Sequence, residues 1–256
     1  MLSIIALGLI GWGNPAYARG SADDLCKMPK PTQINVKPST QEVLLITNRS
    51  LAEMQSFESN TVNPHGFGSG ISVTQGLAKG QINTKAEVRL NYLTYPRLGV
   101  ACIWYESIDI SLDIDPHVYI AKEVHRDRCM GAAVLEHEMK HVNVDRAIVN
   151  RYANIMGQKI YGELQQRGFM AGPVRAEEAE AVAERMKRTV LQIVEIENKR
   201  MELDRADMQA AVDTAEEYQR VANMCPDFRM TPEMLGQGHN HRSGNRAARS
   251  SRSSRR

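Results

Sequence analysis

The residues with the clearest chemical content are Glu136-His137-Glu138-Met139-Lys140-His141, an HExxH sequence inside a stretch of helical periodicity. Positions four apart on a helix share one face, about 6 Å apart along the axis. His137 and His141 can therefore aim two imidazoles at one ion. Glu138, turned by about 100°, sits beside that pair. The arrangement suits a zinc hydrolase: Zn2+ lowers the pKa of a bound water to about 7, and the carboxylate is the general base that takes its proton. A solvated helix face with two unrelated histidines would carry the same letters. Apolar Leu135, Val142 and Val144 around the motif favour the metal.

A catalytic zinc needs a third protein ligand and an open position. Positions 144 and 147 are Val and Ala, which excludes the extended HExxHxxGxxH pattern. Asp145 lies about 9 Å along the axis from an ion shared by the two histidines, too far for an aspartate. It is expected instead to accept a hydrogen bond from the outer nitrogen of His141 and so fix that ring. The third ligand must then come from a second helix running back past the first, in a window from Glu197 to Glu217. Its acids are Glu197, Glu202, Asp204, Asp207, Asp213, Glu216 and Glu217. Asp204 lies on the inward stripe; Asp213 follows the small residues Ala210 and Ala211, which permit close approach. His117 or Tyr119 would supply an oxyanion donor.

The elements that must hold these groups read as an α+β fold. Gln81 to Tyr95 alternates apolar and polar residues as a half-buried strand does. Val100–Tyr105, Ser107–Leu112 and His117–Ala121 follow as adjacent strands joined by short turns, which predicts a small antiparallel sheet. Earlier, Gln41 to Thr47 is a further strand, Ser50 with Glu53 caps a short helix, and 63–70 is a glycine-rich loop. The motif helix begins near Arg126 or Asp127, keeps one face inward for about thirty residues, and is ended by Gly168 and Gly172-Pro173. A second helix is predicted from about Arg175 to Asn223. Together they form an antiparallel hairpin laid on the sheet. A coiled coil serving only assembly would show the same spacing.

Hydrophobic content of 42% gives a globular chain with ample length for a core. The net charge of +2 hides a division, because the six arginines of 242–256 exceed it and leave an acidic body. Residues 236–256 read as a disordered basic tail, able to contact anionic envelope surfaces, with His239 and His241 inside it. Residues 1–18 read as a signal peptide, with an apolar run and Ala16-Tyr17-Ala18 before Arg19. Residues 19–40 are an extended lead-in, and 41–225 the working domain. No segment could span a bilayer, so no transmembrane anchor is expected. Four widely spaced cysteines suit disulfides in an exported, periplasmic or secreted protein; the favoured pairs are Cys102 with Cys129 and Cys26 with Cys225.

The order of signal peptide, strands, HExxH helix and acidic partner helix resembles the uncharacterised bacterial secreted zinc-dependent proteases, a zincin-like group. Gln209 and Asp213 in MQAAVD look like that family's second short motif. The resemblance spans about residues 35–220. It implies zinc and peptidase chemistry on a protein or peptide substrate, and it raises Asp213 over Asp204 as third ligand; no specific nucleic-acid partner is expected. Two rivals remain: a non-catalytic helical-hairpin binding protein, and a cell-wall amidase.

Overall fold

A computed structural model describes residues 25–57 and 73–236. The expected signal peptide, the loop at 63–70 and the tail histidines lie outside the described residues. In chain order the elements are β1 (Gln33–Thr40), β2 (Leu44–Ile46), α1 (Leu51–Met54), β3 (Gly76–Tyr95), β4 (Val100–Ile120), α2 (Lys122–Arg126), α3 (Arg128–Arg167), β5 (Met170–Arg175), α4 (Ala179–Ala210) and α5 (Ala215–Met224).

The sheet is mixed, which corrects the expected antiparallel one. The segments read as three strands between 100 and 121 are one strand, β4, and it is the spine of the sheet. β3 pairs antiparallel with it along its whole length, from Gly76 opposite Ile120 to Tyr95 opposite Val100. Along the other edge lie three short strands end to end. β5 pairs antiparallel with the start of β4. β1 pairs parallel with Ser107–Ile114, and β2 parallel with His117–Tyr119. Parallel neighbours need a long crossover, and the β3 segment provides it. β1 falls inside the expected lead-in, where Pro38 argues against a strand; on an edge strand, however, a missing N–H costs no ladder bond.

Period-two alternation divides the sheet into two faces. Ile82, Ala86 and Val88 of β3 join Ile108, Ile110, Leu112 and Ile114 of β4 in the main core, against Ile148, Tyr152, Met156 and Ile160 of α3 and Val190, Val194 and Met201 of α4. Each fully buried aliphatic side chain contributes roughly 1.5–3 kcal/mol. The opposite face is polar: Asn35 and Ser107 donate to Asp109, each at 2.8 Å, and Ser39 and Ser111 donate to Asp113.

Helix α3 starts where Asp127 caps it, its carboxylate accepting from the Met130 N–H at 2.8 Å. It runs 40 residues and ends at Gly168, which takes the positive φ of 94°. The chain then inserts β5, which the Gly172-Pro173 turn had hidden, before turning into α4. The expected second helix is not continuous. It stops at Ala210, turns through Val212 and Asp213, and restarts as α5 under an N-cap in which Thr214 Oγ1 accepts from the Glu217 N–H.

The disulfides are Cys26–Cys102 and Cys129–Cys225, not the pairs expected. Because β4 is unbroken, Cys102 lies at its start and Cys129 beyond its far end, so the two cannot meet. Two disulfides mark a chain that folds in an oxidising compartment. No helix among the described residues is long and apolar enough to cross a membrane. Cys129–Cys225 joins the first turn of α3 to the residue after α5 across 96 residues of sequence. Replacing both by serine is expected to cost about 2–5 kcal/mol in stability. An unchanged urea midpoint would contradict this.

Candidate metal centre

Three polar side chains that α3 turns inward, His137, Glu138 and Asp145, are buried on the face that carries its core residues. The centre is thus an extension of the core. His137 and His141, one turn apart, place their rings edge to face with centroids 5.0 Å apart. Opposite them the turn between α4 and α5 delivers Asp213. Its Oδ1 lies 3.3 Å from His137 Nε2 and 3.2 Å from His141 Nε2. Tetrahedral metals with bonds of ~2.0–2.1 Å hold their ligand atoms about 3.3 Å apart. His137, His141 and Asp213 therefore form a group able to hold a metal ion.

Each histidine has an outer partner that fixes its ring. His137 Nδ1 lies 3.3 Å from Glu217 Oε1. Glu217 also accepts from Arg220 Nη2 and Lys140 Nζ, both at 2.7 Å, and Arg220 foremost holds its carboxyl well below the usual range. His141 Nδ1 donates to Gln209 Oε1 at 2.5 Å. Asp145 does not meet His141 directly, contrary to expectation. It accepts from Gln209 Nε2 at 2.7 Å, so the amide stands between acid and ring.

Burial lowers the basicity of both rings, but hydrogen bonds to Asp213 and nearby acids outweigh it and raise them. Burial likewise opposes ionisation of Asp213, yet its bonds to the two histidines and Tyr218 hold its carboxyl far below the ordinary value. Glu138, 5% exposed, is pushed up to about 7 by burial, with the histidines opposing. The Ala78 backbone also interacts with its carboxylate.

Two other acids of the window, Asp204 and Glu197, are occupied elsewhere. Asp204 accepts from Tyr152 Oη at 2.9 Å and pairs with Arg151, and buried Glu197 pairs with Arg200. His117 sits beside Asp115 on the cleft wall, and Tyr119 packs on Phe57. The phenol at the centre is Tyr218 instead, whose hydroxyl donates to Asp213 Oδ1 at 3.0 Å. Sequence reasoning missed Tyr218 and Arg205, and it offered Glu217 as a candidate ligand, where the structure sets it beside the outer nitrogen of His137. The four-residue spacing of Gln209, Asp213 and Glu217 was the available signal.

The centre opens on a cleft of about 1390 Å³ lined by residues 73–81 of β3 and its lead-in, by α3, and by Arg205 to Val221. β3 reaches this cleft with small residues on its helix-facing side: Gly76, Ala78 and Gly80. A methyl group at Gly76 would lie 2.5 Å from both Glu138 Oε1 and Val134 Cγ1, and one at Gly80 would collide with Asp145 Oδ2. Gly80→Ala is therefore expected to displace Asp145 and weaken metal binding. Gly162→Ala on α3, where nothing lies within 4 Å, should instead raise stability by about 0.5–1 kcal/mol. Equal effects of the two on metal affinity and melting would contradict close packing of Gly80 against Asp145.

Comparison with family models, curated proteins and solved structures finds no match to this chain.

Proposed function

We propose that this protein is an exported, periplasmic or secreted zinc-dependent peptidase. One observation carries the reading: Asp213 Oδ1 lies 3.3 Å from His137 Nε2 and 3.2 Å from His141 Nε2, the ligand atoms of the three residues lying within 4.8 Å of one another, with the buried Glu138 carboxylate beside them and an open cleft in front. Two imidazoles and one carboxylate form a donor set that zinc favours at catalytic sites. Bound there, zinc would supply a Lewis acid and lower the pKa of a water to about 7.

The chain's own groups then have distinct tasks. Glu138 takes the proton of the attacking water and delivers it to the leaving amine. Tyr218, already donating to Asp213, is the hydroxyl best placed to turn toward the oxygen that gains charge. The β3 backbone from 76 to 81 lines the cleft, and a strand there can take an extended peptide as a neighbour.

The test is digestion of casein, a mixed peptide library and peptidoglycan by the zinc-loaded chain, read by mass spectrometry. Cleavage of peptide bonds that stops with a chelator and returns with zinc is expected. Tyr218→Phe should lower kcat by about 10²-fold or more with KM little changed. Release of peptidoglycan stems with casein intact would replace the reading by a cell-wall amidase. No hydrolysis of any of the three would contradict an enzymatic role.

A further inference from the structure

His137 is held directly by a carboxylate, whereas His141 is reached through a chain of groups that begins on α4. The Gln209 amide nitrogen donates to Asp145 Oδ1 at 2.7 Å and to the His141 carbonyl at 3.1 Å. With both amide hydrogens so committed, its Oε1 must face His141 Nδ1 and accept the ring proton there. That leaves the lone pair on Nε2, the nitrogen 3.2 Å from Asp213. The ring's tautomer is therefore set by the orientation of one amide.

The amide is oriented in turn by Asp145, 2% exposed, which two donors of Arg205 grip: Nε to Oδ1 at 2.7 Å and Nη2 to Oδ2 at 2.9 Å. A guanidinium only donates, so both oxygens of a carboxylate gripped this way are acceptors. The same Nη2 donates to the Gly80 carbonyl at 2.5 Å, which ties β3 into the arrangement. Arg205, on α4, thus reaches both α3 and β3, and its side-chain bonds go to Asp145, Gly80 and Glu202 rather than to His137, His141 or Asp213.

We propose that Arg205 is a positioning residue of the metal centre: acting through Asp145 and Gln209 it sets the tautomer and aim of His141, and through Gly80 it fixes β3 beside it. This rests on the reading that the centre holds zinc. A clamp that merely joined two helices would affect folding alone. Arg200 on the same helix is the control: its Nη1 lies 2.6 Å from Oε1 of Glu197, three residues earlier in α4, so the pair stays within one helix.

The experiment compares the full chain with Arg205→Met, Arg205→Lys, Gln209→Leu and Arg200→Met. Zinc affinity is measured by chelator competition. The His141 tautomer is read from its ring nitrogen shifts in metal-free protein, above the titration range of the ring. Arg205→Met and Gln209→Leu should bind zinc ~10–100-fold more weakly, the usual effect of losing a ligand's outer partner. Arg205→Lys should fall between, and Arg200→Met should match the parent. The parent should show a single tautomer protonated at Nδ1, and Arg205→Met a mixture.

Folded Arg205→Met with parental affinity and a single tautomer overturns the proposal. Should that variant fail to fold, Gln209→Leu decides on the same two readouts, since it breaks the relay while leaving the tie to β3. A parent chain that binds no zinc overturns the metal reading, and the tautomer spectra then decide the relay by themselves.

Discussion

Glu138→Gln is expected to retain zinc and to lower peptide hydrolysis by about 10²–10⁴-fold, the share a positioned general base contributes. The substitution keeps the size of the side chain in a space where Gly76 and Val134 leave none to spare. Only the ability to take a proton is removed. The neighbouring motif acid makes the contrast: Glu136 is exposed and pairs with Arg220 at 3.1 Å, so Glu136→Gln should leave turnover nearly unchanged. Steady-state rates on a peptide found in the library digest, with zinc content measured in parallel, check both. Turnover of Glu138→Gln within a few-fold of the parent would remove Glu138 from the mechanism.

Asp213→Ala should have the largest effect on the metal itself. It deletes the one oxygen that faces both imidazoles, so its loss should exceed the ~10–100-fold typical of an outer partner. The consequence reaches stability through linkage. Zinc at about 100 times its Kd adds about 2.7 kcal/mol to the folded state. In a domain of this size that raises the Tm by roughly 5–10 °C. The parent should show this zinc-dependent rise and Asp213→Ala should lose it. Asp204→Ala, which instead frees Tyr152 and Arg151, should keep it. A rise that survives in Asp213→Ala would mean the metal is held elsewhere.

Much of the centre was legible because a helix turns spacing into geometry. His137, Glu138 and His141 needed only a period of 3.6 residues to fall on one face. The acid window contained Asp213, but periodicity alone could not select it. Two irregular features intervene: β5 lengthens the connection, so that Gln209 rather than Asp204 of the inward stripe meets His141, and the turn after Ala210 swings Asp213 inward. Neither leaves a repeating pattern in the sequence.

The sheet was less legible for a related reason. Alternation reveals that a segment is a strand and which of its residues face the core, as in 81–95, but not which strand it pairs with. Pairing of sequence neighbours was the natural inference, and it holds for β3 with β4. It fails for β1 and β2, which run parallel to a strand some 70 residues later. The start of β3 lies outside the alternating stretch because glycine disfavours strands, although Gly76 and Gly80 are there to admit Glu138 and Asp145. The cysteine pairing followed from the same error, since a broken β4 would have allowed Cys102 to approach Cys129.

The central claim is that His137, His141 and Asp213 together hold one zinc. Its most direct test is the zinc content of the full chain carrying His239→Ala and His241→Ala, which removes the tail histidines as scavengers, beside the same chain with Asp213→Ala. After exposure to zinc and dialysis, the account predicts about one zinc per chain in the first and close to none in the second. No zinc in either, or equal zinc in both, would contradict it.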